Sequence, residues 1–377
     1  MARHPTRPQA PRTPTVYDVA DRAGVSIATV SRVLRTPDAV REATRERVMD
    51  AVRALGYVPS GNARALAGRR TGVIGLCFPG HDGLEEDDRP SLVTEGGVRV
   101  VDDRRRGAGP GTPNLYFDEV LRGAEVEAWR RGFALMVAAG RGPARDVVVN
   151  DVAGRVDGLA VVARTVSDDL LAHVARRIPV VVLADGAHPG ERGDAFDHVG
   201  VDNAAGMRAL VGHVVGALGV RDVVYVAGPP DSPDDAERQL GLSAALADAG
   251  LPPVPQVRGD FRRDRASEAV SGLLAQRVPR ALVCGNDQSA LGALDAVRAA
   301  GLSVPGDVYV TGFDGVDGAR FSDPPITTVA QPMADLGRAA VRAVVDRLAA
   351  PHAPRLVARL PVEVLLRESC PPVDTRM

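Results

Sequence analysis

Between Ser26 and Arg32 the chain carries a row of side chains suited to reading the edges and phosphates of a nucleic-acid groove. Arg32 has a planar fork of donors that matches the O6 and N7 acceptors of guanine. Ile27 and Ala28 offer apolar contact to thymine methyls, and Ser26, Thr29 and Ser31 bring hydroxyls for phosphate oxygens. Thr15 and Tyr17, just upstream, complete the set of head residues expected to meet a polyanion. The charge distribution agrees. Residues 1–70 hold 13 arginines against 6 acids, a surplus of +7, while the remainder holds 33 against 42, or −9. A basic end on an acidic chain points to a phosphate-bearing partner for that end alone.

Two short helices and a tight turn must position those residues. Thr15 and Asp18 fit a capping box, after which Val16, Val19, Ala20 and Ala23 share one face. Gly24 suits the left-handed residue after a helix, and Ser26 suits the N-cap of the next. On the second helix Val30, Val33 and Leu34 face inward, which leaves the groove-reading residues outside. A third helix from Glu42 to Leu55 carries the stripe Val48, Ala51, Val52 and Leu55 and stops at Gly56. This spacing is that of a helix-turn-helix. A three-helix bundle with a merely solvated face has the same spacing, and the basic charge is what argues against it.

Composition excludes other chemistries. All 46 basic residues are arginine, so the chain has no lysine for a Walker phosphate loop, a Schiff base or a pyridoxal-phosphate anchor. Cys77, Cys284 and Cys370 are scattered and read as buried small hydrophobes, with neither metal-ligand spacing nor a disulfide set. The 7 histidines fall near no nucleophile motif. Gly107-Ala-Gly-Pro-Gly111 lacks the strand-to-helix context of a dinucleotide fingerprint. No catalytic residue, metal or cofactor is therefore expected. With 45% hydrophobic and 25% charged residues the 377-residue chain reads as globular, without a membrane-spanning run or an export signal. A cytoplasmic location, on the nucleoid when bound to DNA, is the expectation.

The ordered series Val16-Tyr-Asp-Val-Ala, Ala23-Gly-Val-Ser, Ala28-Thr-Val-Ser-Arg-Val, Thr44-Arg-Glu-Arg-Val, Gly56-Tyr-Val-Pro and Asn62-Ala-Arg-Ala-Leu-Ala resembles the LacI/GalR family of bacterial repressors. The segment from Tyr57 to Ala67 is too short for a stable isolated helix. The resemblance implies a hinge helix that folds on the DNA, with Asn62, Ala63 and Arg64 along the minor groove and Leu66 as the wedge between base pairs. Ser60 and Arg41 depart from the usual asparagine and capping serine.

From Gly72 onward apolar runs alternate with helical stretches: Gly72–Phe78, Phe133–Ala138, Gly158–Val162, Val180–Leu183, Val223–Ala227, Ala281–Cys284 and Val308–Gly312. Buried parallel strands with intervening helices make a doubly wound α/β architecture, whose ligands sit beyond the carboxyl ends of the strands. The motifs Asn114–Ala124, Val156-Asp-Gly158, Pro179–Asp185, Val201-Asp-Asn203, Gly259-Asp-Phe261, Cys284–Gln288, Thr311–Asp314 and Ile326–Gln331 resemble, in order, the periplasmic-binding-protein-like core of the same repressors. Asp185, Asn286, Asp314 and Gln331 offer acceptors and amides for hydroxyl groups, though as isolated residues they serve equally as caps or turn-formers. Arg238 brings a fork of donors for a hydroxyl, carboxylate or phosphate. Tyr116, Phe117 and Phe261 can cover a sugar face, stack on a base, or simply pack.

The expected fold is thus an all-α helix-turn-helix DNA-binding head plus an α/β bilobed periplasmic-binding-protein-like core. Residues 1–14 are expected as a disordered tail, 15–59 as the head, 60–71 as hinge helix and linker, and 72–370 as the core. Within the core, 72–195 with 332–353 form one lobe and 196–331 with 354–370 the other. An insertion of about 80–113 reads as a disordered loop or a lid. The expected partners are a pseudo-palindromic double-stranded DNA operator, a small polar effector such as a sugar, nucleoside or purine, and a second copy in a homodimer. A solute-binding protein is the alternative from another class, but such a protein has no use for the basic head.

Overall fold

The computed structural model describes residues 14–35, 39–57, 70–79, 115–140, 145–163, 165–184 and 196–372. The chain divides into two compact units, Met1–Thr71 and Gly72–Met377.

In the first unit helix α1 (Val16–Ala23) opens on the expected capping box: the Thr15 amide and hydroxyl both donate to Asp18 Oδ2 at 2.7 Å. Gly24 ends it at φ 62°, a left-handed conformation that glycine adopts without a Cβ clash. Ser26 then caps α2 (Ile27–Arg35), its Oγ accepting the Thr29 amide at 3.2 Å. The third helix, α3 (Glu42–Leu55), starts at Arg41 with no side-chain cap and stops at Gly56, φ 60°. Val19, Ala20, Ala23, Val30, Val33, Val48 and Ala51 form its core, with Val16, Leu34, Val52 and Leu55 packed around them. Tyr57, within the expected bounds of the head, is a buried member of that core; its amide donates back to Val52 O.

The second unit holds two six-stranded sheets. The first contains β1 (Val73–Pro79), β2 (Ala134–Gly140), β3 (Gly158–Val162), β4 (Val180–Leu183), β5 (Asp197–Val201) and β11 (Val357–Leu360) in the order β2-β1-β3-β4-β5-β11, all parallel. The other contains β6 (Val223–Ala227), β7 (Gln256–Arg258), β8 (Ala281–Cys284), β9 (Tyr309–Asp314), β10 (Thr327–Ala330) and β12 (Glu363–Leu365) in the order β7-β6-β8-β9-β10-β12, antiparallel only at β12. The central strands are buried along their length, which is why their sequences read as continuous apolar runs. Both sheets reverse strand order beside their first strand, so the switch points lie beyond β1/β3 and β6/β8, where such folds hold ligands.

The lobe boundaries differ from the sequence expectation. Strand β5 pairs with β4, so the first lobe runs on to Val201, not 195. The stretch Leu356–Leu366 is two strands in two sheets: β11 returns to the first lobe, and the chain crosses at Pro361, which has no amide to extend the ladder. Asp197-His-Val-Gly-Val201 escaped the strand reading because it is not a continuous apolar run; burial of Arg347 against Asp197 satisfies its charge instead. The guanidinium donates to both Asp197 oxygens, at 2.9 and 2.6 Å, and joins the helix Met333–Ala349 to β5. Cys77, Cys284 and Cys370 are buried free thiols.

Candidate functional site

On the head, α2 turns Ser26, Ile27, Ala28 and Arg32 to solvent, with Thr29 and Ser31 half-buried. Ile27 is 39% exposed and Tyr17, on α1, 64%. Ser26 and Thr29 share a hydroxyl hydrogen bond of 2.9 Å, which orients both at the start of the helix. Thr15 sits half-buried in its cap. Asn62, Ala63, Arg64 and Leu66 lie outside the described residues, as do Asp185 and the 80–113 insertion.

In the core a cavity of about 110 Å³ opens between the lobes at the two switch points. From the first lobe come Pro79, Tyr116, Phe117, Val162, Ala163 and Ala184; from the other come Ser232, Pro233, Asp234, Arg238, Phe261, Asn286 and Asp314. Six of the eight residues expected at an effector site therefore line one space: Tyr116, Phe117, Arg238, Phe261, Asn286 and Asp314. Gln331 does not line it. Its Nε2 donates to Asp314 Oδ1 at 2.7 Å, so it stands behind that carboxylate and faces a neighbouring cavity instead.

Backbone strain converges on the same place. Among the described residues four non-glycine positions have positive φ: Ala184 (52°), Asp260 (51°), Phe261 (60°) and Asp314 (125°). Three line the cavity and Asp260 adjoins it. Such conformations cost of order 1–3 kcal/mol each and persist where surrounding structure enforces them, typically around ligands. Glycines leave room for the Phe261 ring: a Cβ on Gly228 would stand 2.4 Å from it and one on Gly285 3.1 Å.

Arg238 is 3% exposed and differs from its expected role. Its Nε donates to Asn203 Oδ1 at 2.9 Å, its Nη1 donates to Gly285 O at 2.7 Å, and its Nη2 lies 3.8 Å from Asp314 Oδ1. The guanidinium also sits over the Phe313 ring, 3.9 Å from the centroid. It is a keystone of the wall more than an open fork, because a charge this deep requires protein acceptors around it. Asn286 is both things that the sequence left open: its Oδ1 caps the helix Asp287–Ala299 through the Ser289 amide at 2.9 Å, and its side chain lines the cavity.

Sequence reasoning missed three supporting residues, Asp287, Asp234 and Glu237. Asp287 accepts the amides of Gly315 and Val316 at 2.8 and 2.9 Å and the Thr328 hydroxyl at 2.6 Å, clamping the turn that follows Asp314. Burial pushes the Asp287 carboxyl up to about 6 and that of Asp314 up to about 8; Arg238 draws Asp314 back down and Asp287 raises it further. Asp234 lines the cavity and holds Asn203 Nδ2 at 2.8 Å. Glu237 receives the same amide at 3.1 Å and the guanidinium of Arg359 at 2.7 Å, so one network reaches from Arg238 to β11 in the other lobe. A usable signal existed for Asp234: Ser232-Pro233-Asp234-Asp235 is an N-cap, a first-turn proline and two acids directly after strand β6.

Comparison with known proteins covers nearly the whole chain. Residues 15–60 match the family described as bacterial regulatory proteins, lacI family, and residues 213–370 match a periplasmic binding protein-like domain. The chain is 30% identical over 361 residues to the transcriptional repressor CytR of Escherichia coli (strain K12), covering 94% of this chain and 96% of that one. It is 33% identical over 346 residues to the repressor PurR of Erwinia tasmaniensis, covering 89% and 90%. Among solved structures it resembles the Lac repressor dimer bound to operator and the anti-inducer ONPF, with a TM-score of 0.76, 25% identity and coverage of 96% and 100%. A complex of the transcriptional regulator CelR with cellobiose gives a TM-score of 0.65, 29% identity and coverage of 94% and 99%.

Proposed function

Since this chain belongs to the LacI family of bacterial regulatory proteins, we propose that it is a transcription repressor that holds a pseudo-palindromic operator as a homodimer and releases or tightens that hold when a small polar effector enters the cavity between its lobes. The observation that carries the reading is the convergence of strained residues: Ala184, Phe261 and Asp314 line the cavity at both switch points. Members of this family act as dimers on operator DNA, and two-fold protein symmetry is mirrored in half-site spacing.

In this reading Arg32 contacts a base edge, Ile27 and Ala28 contact methyls, and Thr15, Tyr17, Ser26, Thr29 and Ser31 position the head on the backbone. Asn62, Ala63, Arg64 and Leu66 act as the minor-groove hinge by resemblance to the family. The effector is a sugar or sugar derivative, whose apolar face Tyr116, Phe117 and Phe261 cover while Asn286, Asp314 and Asp234 take its hydroxyls. The cellobiose complex of CelR supports that class. A nucleoside is the second reading, favoured by three aromatic rings around one small space, since a base stacks where a sugar face rests. Effector closure would shift operator affinity by about 1–3 kcal/mol, the usual coupling in such proteins.

The test is a gel-shift titration of operator-bearing fragments with and without sugars and nucleosides, paired with thermal unfolding. An effector that binds the native core raises its midpoint. A chain that prefers no genomic fragment over random competitor contradicts the reading.

A further inference from the structure

On the second lobe the helix Asn203–Gly212, with its continuation His213–Ala217, lies beside the helix Pro233–Asp248, and a groove of about 810 Å³ runs between them. Alanine and glycine make most of its lining. One of those glycines has a reason inside the chain: a Cβ on Gly241 would collide with Ala204 O, so its absence lets the two helices close up. Gly212 and Gly216 have no such reason. Both are helical, neither has positive φ, and a Cβ on either would meet nothing within 4 Å. Glycine is the less stable choice against alanine in a helix, because it gives up more backbone freedom. Nothing among the described residues needs these two stretches of bare backbone, whereas a body lying in the groove would. The helix also widens there into a π turn, His213–Ala217, a distortion common where a helix serves a function.

The face is complementary to itself. Leu240 stands at the rim, 61% exposed, beside a groove that has room for a side chain of its size. Arg208 from one helix and Asp248 from the other pair across the groove, Nε and Nη2 both donating to Asp248 Oδ2 at 2.9 and 2.7 Å, and both side chains are 57% exposed. Arg208 Nη1 and Asp248 Oδ1 take no partner among the described residues. About a two-fold axis, Leu240 of each copy would enter the groove of the other, and two such ion pairs would close into a ring of alternating charge, as an isologous contact requires. Helices of 10 plus 5 and of 16 residues are roughly 23 Å long, and the pair is roughly 20 Å across. About 450 Å² is thus covered on each copy and about 900 Å² in all, the size of a weak, reversible contact.

We propose that this groove receives a second copy of the chain and, resting on the reading of the protein as a homodimer, that it joins two dimers into a tetramer. The linker from the head enters the core at β1 in the first lobe, while the groove belongs wholly to the second, so the contact adds to the pairing of heads. Four heads on one particle can hold two operator sites at once.

Sedimentation velocity of the full-length protein from about 0.1 to about 100 µM spans the affinities open to so small a contact. It should show twice the 39.5 kDa chain mass giving way to four times that mass as concentration rises. Gly216→Leu places a good helix former in open space and fills the groove. It should hold the protein at the dimer throughout while its melting midpoint equals or exceeds that of wild type, a combination that a merely structural glycine would not give. Arg208→Asp should weaken the tetramer about tenfold, and Arg208→Asp with Asp248→Arg should restore it by rebuilding the ring. A wild-type protein that stays dimeric at the top of the range, or a Gly216→Leu variant that still forms tetramers, overturns the inference and leaves the homodimer standing. A wild-type dimer that Gly216→Leu reduces to monomers also overturns it, by moving the homodimer onto this face. The chain itself supplies a rival occupant, residues 373–377, since His213 Nε2 beside the groove donates to Pro371 O at 3.0 Å. Tetramers that form only after those residues are deleted assign the groove to them and overturn the inference too, whereas a protein that is monomeric throughout contradicts the homodimer as well.

Discussion

The head and the core use the same cation for opposite ends. In the head, Arg32 stands exposed on α2, and the capping bonds of α1 and α2, Thr15 to Asp18 and Thr29 to Ser26, join residues three apart. In the core, Arg238 and Arg347 are buried, and their bonds reach residues 35, 47 and 150 positions away. A local motif can hold a side chain out for a partner, but a buried charge has to be assembled by the whole fold. The contrast predicts that removing arginine from the head costs binding and spares stability, and that removing it from the core does the reverse.

The largest effect should come from Arg347→Met. Asp197 is 1% exposed and would lose the cation that meets both of its oxygens. Stranding a buried carboxylate costs about 3–5 kcal/mol. Urea unfolding followed by circular dichroism should show the core transition move by that amount; a midpoint within experimental error of wild type would erase the proposed difference between the two units.

Next comes the pH slope of core stability. Asp287 and Asp314 sit near 3.8 when unfolded and are raised in the fold, to about 6 and about 8, chiefly by burial. The native state therefore holds protons that the unfolded chain has lost. Their contribution is fully present below about pH 4 and declines as pH rises towards 8, by about 1.4 kcal/mol per pH unit while one proton separates the states. Arg238, Arg367, Gln331 and Thr328, which face the pair, keep one charge state throughout that range, and Asp234 also acts on Asp314. Melts at pH 5, 6, 7 and 8 should fall steadily for wild type and flatten for Asp314→Asn. An equal slope in both would remove Asp314 as the source.

Arg32→Ala provides the mirror image. A bidentate arginine–guanine contact is worth about 1–3 kcal/mol of discrimination, so operator affinity should drop by roughly tenfold or more and one base position should become permissive. Stability should stay within about 0.5 kcal/mol, as for other exposed substitutions. Competition gel shifts with single-base operator variants measure the first, and the unfolding curve the second. A uniform loss across all variants would demote Arg32 from reading bases to holding phosphates.

The same contrast explains what the sequence could disclose. The capping box at Thr15, the stop at Gly24 and the third helix from Glu42 to Leu55 were all legible because each rests on neighbours within a few residues. So were the central strands, whose two-sided burial writes itself as apolar runs. Strands β5, β7, β10, β11 and β12 were not: they are short, at or near the sheet edges, and carry residues such as Asp197 and Arg359 whose burial depends on partners far along the chain. For the cavity, the residue types at Tyr116, Phe117, Phe261 and Asp314 were readable, but the commitment of Arg238 to Asn203 and Gly285 was not. No local pattern says where a guanidinium will find its acceptors. Asp287 was hidden for the same reason, its oxygens serving a turn 28 residues later.

The smallest effect is the sharpest probe of locality. Thr15→Ala removes an N-cap hydroxyl that donates to Asp18 and accepts from its amide, a loss of about 1 kcal/mol in comparable helices. Because the box touches only α1, its loss should raise amide hydrogen exchange between Val19 and Ala23 several-fold and leave the core transition unmoved. Operator affinity should fall slightly more than for a substitution on the far side of the head, since α1 carries Tyr17 and braces the start of α2 through Val19 and Val30 in the shared core. A Thr15→Ser variant, which keeps the hydroxyl, should restore both. If exchange instead rose across the core strands, the head could not be treated as a unit that is stabilised by its own short-range bonds.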